Sequence, residues 1–259
     1  GTIYSINVIG KYVYDDEEYI AFTKITDNTV HAEAAQYAYG INVGHATTGL
    51  VTGNDVISVS GNYADAIQGY NVYDFDFTDN TVNVISDNMA YGIIAEGFFY
   101  IDDDDNMDWP TVKDNVIANN EITLKGKDAW AVEIVIGTKN TVEYNNITIE
   151  ASNGVGVGIA DCDATIIENN NIDITATQES GINNGDAVDS YTTGVKITPS
   201  NSRIKSPHEN NVTSNNITII ATNDDVSAVN VTSDDNIISS NYLLSPAGRG
   251  DKAVADTGE

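Results

Sequence analysis

Residues Lys139–Ala151 read KNTVEYNNITIEA, and the phrase NITI at Asn146 returns as NEITL at Asn120, NIDI at Asn171 and NITI at Asn216. The isoleucines of that phrase, Ile122, Ile147, Ile172 and Ile217, lie 25, 25 and 45 residues apart. Nearer the start, TDNTV stands at Thr26–Val30 and again at Thr78–Val82, and AYGI at Ala38–Ile41 and Ala90–Ile93. Both pairs are 52 residues apart, with a degenerate copy between them around Val56-Ile57-Ser58-Val59. A fixed period of this length marks a solenoid, in which one repeat is one turn that cannot bury its apolar side alone.

Inside a turn the order is constant. An apolar residue (Ile117, Val142, Ile167, Val212) precedes the isoleucine of the N-x-I phrase by five positions. About ten residues later comes a second strand headed by a small residue, as in Gly40–Val43, Gly154–Ile159, Gly194–Ile197 and Ala228–Val231. Apolar and polar residues alternate, which puts one side of each strand inward. Composition agrees, with 31 Ile and 24 Val against 4 Leu, because β-branched side chains suit strands and leucine suits helices. The hairpin signature Asn-Gly does not recur between the repeating strands from turn to turn, which argues for coiling rather than folding back. The expectation is an all-β, right-handed parallel β-helix of about nine turns of roughly 25 residues, forming a single domain over residues 1–259.

Asparagine also occurs 31 times. The pairs Asn119-Asn120, Asn145-Asn146, Asn170-Asn171 and Asn215-Asn216 fall on one corner of successive turns, where a stacked ladder of side-chain amides would satisfy the backbone. The sequons at Asn146, Asn211, Asn216 and Asn230 follow from the same wording, and laddered amides make poor glycosylation acceptors.

The net charge of −28 argues against nucleic-acid binding, which needs clustered Lys and Arg. No run of about 20 apolar residues is present to span a bilayer. Without an initiator Met or leader, the sequence reads as a fragment of a longer exported chain. Cys162 is the one cysteine and reads as a small buried residue.

The repeat wording of Lys139–Ala151 and Asn210–Ser233 resembles the adhesin-like surface proteins of methanogenic archaea. Their β-helix repeats share the NxVxxNxI pattern and a GDxAV phrase, present here as Gly250-Asp251-Lys252-Ala253-Val254 and, shorter, as Gly185-Asp186-Ala187-Val188. The resemblance implies a secreted, cell-surface protein used in attachment, anchored by regions outside this fragment. Its partner would be a surface glycan or surface protein of another cell. It is a likeness of repeat wording rather than of a catalytic motif, and the wider β-helix superfamily also holds polysaccharide lyases and hydrolases.

Function is grafted where periodicity breaks. The step from Val82 to Ile122 is 40 residues and that from Ile172 to Ile217 is 45, which places insertions near 98–112, 177–191 and 199–209. In the first, Asp102, Asp104, Asn106 and Asp108 alternate like the early oxygen ligands of a calcium loop. Met107 and Lys113 stand where an EF-hand needs Gly and Glu, so the segment reads either as a solvated acidic loop or as a calcium site of another geometry. Tyr100, Trp109 and Trp130 are the candidate ligand-binding aromatics, since ring faces stack on sugars. Catalytic residues are not recognisable. The 27 Asp and 12 Glu make carboxylate pairs uninformative, and Arg203-Ile204-Lys205 matches a polygalacturonase tripeptide without the companion NTD and GHG motifs. A non-catalytic adhesin is the leading reading, a lyase or hydrolase is the rival, and a structural spacer is the third.

Overall fold

The structure is a computed structural model and describes residues 1–10, 22–97, 100–101, 107–108, 112–177, 182–183, 186–187, 192–199, 208–221, 226–233, 235–244 and 252–256. Its strands stack in parallel as a β-helix with three faces. Among the described residues the first face has nine rungs: Thr2–Ile9, 37–44, 63–70, Met89–Glu96, 128–135, 153–160, Thr192–Thr198, Val226–Val231 and Lys252–Asp256. Among the described residues the second runs from Thr23–Thr26 to Ile237–Ser239 and the third from Thr29–Ala34 to Tyr242–Leu244, with eight rungs each. Tyr37 pairs with Tyr63 and Tyr63 with Met89, a turn of 26 residues, whereas Ile122, Ile147 and Ile172 pair at 25.

The core is built of columns, as strict repetition requires. Val30, Val56, Val82, Ile122, Ile147 and Ile172 stack inside the third face, and Ile41, Ile67, Ile93, Val132, Val157 and Val195 inside the first. The small residue inside each of these first-face strands has a definite reason. A Cβ on Gly156 would run into Ile172 Cγ2, and one on Gly194 into Ile217 Cγ2, so glycine lets the first face close onto the isoleucine column opposite. Cys162 is fully buried, its Sγ 3.2 Å from the Ala160 carbonyl oxygen, and burial pushes its thiol pKa up.

Corners are set by left-handed residues followed by buried amides. Asp27, Asp79, Asn119, Tyr144, Asn169 and Ser214 all have φ between 54° and 58°. Each precedes one member of a continuous ladder: Asn28, Asn54, Asn80, Asn120, Asn145, Asn170, Asn215 and Asn241. Each Nδ2 donates to the next Oδ1 at 2.9–3.0 Å, and most also donate to a backbone carbonyl of the preceding turn, as Asn145 does to Ile117. The corner is the one expected, but the Asn pairs divide. The ladder takes the residue two before the isoleucine, hence the second Asn of Asn119-Asn120 and the first of the other three pairs. The remaining Asn146, Asn171 and Asn216 form a short exposed row of their own.

The long steps correspond to departures from the repeat. Val82 pairs with Ile122 and Ile172 with Ile217, so the chain between gains residues without disturbing the register. Two short antiparallel pairs occur there, Tyr100–Ile101 with Met107–Asp108 and Ile182–Asn183 with Asp186–Ala187.

Candidate functional site

On the first face, four outward positions per strand form rows along the axis. One row runs Tyr4, Tyr39, Asp65, Tyr91, Trp130, and the next runs Asn42, Gln68, Ile94, Glu133, Gly158, Lys196. Parallel in-register pairing sets like positions about 4.8 Å apart, so side chains on neighbouring turns must touch.

The tyrosines do so as a zigzag. Tyr4 and Tyr39 stack at 4.6 Å with planes 11° apart, Tyr39 and Tyr63 lie at 5.8 Å, and Tyr63 and Tyr91 at 5.2 Å. The faces of Tyr4 and Tyr39 are thereby spent on each other. Asp65 is buried beneath them at 1% exposure. Burial pushes its carboxyl well above the ordinary range, and repulsion from Glu133 and Glu96 adds to this, while the Tyr63 phenol acts the other way. Burial and the Asp65 charge together push the Tyr39 phenol up to about 12.

Farther along the axis the row changes character. The Trp130 ring lies across Gly158, where an added Cβ would sit 2.5 Å from the indole, so the glycine opens the space that the ring fills. Lys196 Nζ stands 5.2 Å from the centre of the same ring, a cation over an aromatic face. Glu133, half-buried, is pushed up to about 7 by burial and by Glu96, with Lys196 pulling against them. Burial raises the Glu96 carboxyl as well, and lowers the Lys196 ammonium against the pull of Glu133. Glu96 and Glu133 are diagonal neighbours, since Glu96 pairs with Val135 and Glu133 with Ile94 on adjacent strands. The group brings two carboxyls, an ammonium and an indole together on one stretch of the face, with the Glu133 carboxyl raised toward neutrality.

The insertions border this same face. Gly97, directly after Glu96, hydrogen-bonds Val135, and among the described residues parallel pairing is next seen at Val112. Thr177 hydrogen-bonds Ala151, and the next parallel strand described is Thr192–Thr198, which carries Lys196.

Of the residues the sequence singled out, Trp130 belongs to this group. Tyr100 and Asp108 lie in the antiparallel pair that follows Glu96, where the backbone alone is described. Asp102, Asp104, Asn106 and Trp109 lie outside the described residues. Among the described residues no three His, Cys, Asp or Glu side chains are arranged to hold a metal, and no helix is long and apolar enough to cross a membrane. Sequence reasoning missed Asp65, Glu96, Glu133 and Lys196. A signal for the first existed: the AYGI phrase reads Ala64-Asp65-Ala66-Ile67 in the intervening turn, with aspartate in a tyrosine column. Comparison with protein-family models, with curated proteins and with solved structures finds no match to this chain.

Proposed function

We propose that the chain is an attachment domain of a cell-surface protein, and that its first face holds a glycan on the surface of a neighbouring cell. One observation carries this reading. The row positions that depart from the repeat, Trp130, Glu133, Lys196 and Glu96, gather on the stretch of scaffold that the insertions border. Carboxylates and an ammonium beside an indole suit the hydroxyl groups and C–H faces of a sugar. A calcium contribution from Asp102, Asp104, Asn106 and Asp108 is part of the proposal.

A second reading has an observation of its own. Two carboxyls with raised pKa, one at about 7, resemble the acid and base of a glycoside hydrolase. Retention of the chain on microbial cells and purified polysaccharides, with calcium and with chelator, separates the two when product size is followed in the same tubes. Attachment predicts retention without shortening, and Trp130→Ala and Lys196→Ala then weaken it by about tenfold each. Loss on chelation would implicate the Asp102–Asp108 segment. Shortening that Glu133→Gln abolishes would replace the attachment reading with hydrolysis. Neither retention nor shortening would leave a spacer.

A further inference from the structure

Where the third face turns into the first, the surface is hollowed. One hollow of about 540 Å³ lies over Glu33–Ala35, Val59–Gly61, Ile85 and Asp87. A second of about 340 Å³ continues from Ile85 and Asp87 to Ser152 and Thr177. The shared residues make one groove running along the axis. Its construction follows from the register. The floor is the row Ala34, Ser60, Ser86, Gly126, Ala151, small residues at the end of each third-face strand. One bank is the row Glu33, Val59, Ile85, Lys125, Glu150, one residue earlier in each turn. The opposite bank, one residue later, carries Ala35, Gly61, Asp87, Lys127, Ser152 and Thr177. The groove crosses five strands and reaches Thr177 on the next turn, so it is about 24 Å long at the ordinary strand spacing.

We infer that this groove is a binding site for an extended, unbranched and uncharged glycan chain lying along the helix axis, the polymer-recognising part of the attachment proposed above. Its length suits a polymer rather than a compact ligand. Its charge selects the class. On a chain of net charge −28 the banks carry three carboxylates and two lysines, and Lys125 sits 3.0 Å from Glu150. A polyanion would meet Glu33 and Asp87 in the first half of the groove, and a polycation would find stronger attraction elsewhere on the surface. Hydroxyl groups, by contrast, find acceptors at Asp87 and Glu150 and donors at Lys127 and Ser152, while C–H faces rest on Ile85 and the alanines. An extended peptide gains nothing comparable, because the groove crosses the strands and the backbone it passes is already paired, leaving no sheet edge to extend.

The test is binding of the intact chain to a length series of unbranched neutral oligosaccharides from β-glucan, mannan and galactan, at low and high salt. Polyuronate and polylysine serve as charged comparators. Affinity is expected to rise with length until the groove is filled, to level off beyond it, and to change little with salt. Ala35→Trp and Ser152→Trp, both on the bank, should each lower affinity by about tenfold or more with an unchanged melting temperature. Thr218→Trp, on the third face beyond the groove, should not. Binding of neutral glycans that ignores both bank substitutions would overturn the groove and leave the attachment reading standing. Salt-sensitive binding confined to a charged comparator would overturn the uncharged class, no binding to any neutral glycan would overturn the groove, and only the further absence of polyuronate binding would count against the attachment reading itself.

Discussion

At the scale of single residues, the buried amides are the costliest groups to lose. Asn145 donates to Ile117 and Asn170 and accepts from the Asn120 amide and backbone, so its removal orphans polar groups on both neighbouring turns. Asn145→Ala should destabilise the chain by about 3 kcal/mol or more, and the adjacent Asn146→Ala by about 0.5 kcal/mol at most, read by urea unfolding. Gly156→Val, which drives a side chain into Ile172, should cost about 3 kcal/mol. The carboxyls of Asp65 and Glu133 behave oppositely to salt-bridged acids. Their folded pKa values are raised, so the native state holds protons that the unfolded chain releases from about pH 4. Stability from these groups is therefore full below about pH 4 and falls as pH rises toward 7. Asp65→Asn should raise the melting temperature at neutral pH and flatten that fall, as a melting series from acid to neutral pH would show.

At the scale of elements, what the sequence made legible was what repeats. The spacing of Ile122, Ile147, Ile172 and Ile217 was readable because every turn must fill the same column, and it located the insertions without placing them on a face. The placement of Glu96, Glu133 and Lys196 was not readable in the same way. Glu133 and Lys196 are 63 positions apart and share a row through Gly158, and nothing in the wording of either turn shows that the glycine has yielded its space to Trp130. Asp65 was the exception, since it breaks a tyrosine column. The Asn pairs show a subtler limit: the motif reveals the corner, but which amide turns inward depends on its distance from the isoleucine, not from its twin.

At the scale of the whole molecule, charge and geometry act together. With a net charge of −28, repulsion between like charges opposes the compact state, so added salt should raise the melting temperature by screening it. A flat response would mean that the acidic side chains are held far enough apart to ignore one another.

The rungs Thr2–Ile9 and Lys252–Asp256 stand at opposite poles of the first face, and the hydrogen bonds between turns point along the line joining them. Traction on the two ends therefore loads those bonds in series and peels them turn after turn, instead of shearing a whole sheet at once. A turn of about 25 residues releases roughly 85 Å of slack. Stretched between two surfaces, such a chain would act as a ratcheted shock absorber that lengthens by steps while its remaining turns keep their grip. Single-molecule pulling should record a sawtooth with that increment, and one cooperative rupture would show that the turns fail as a block.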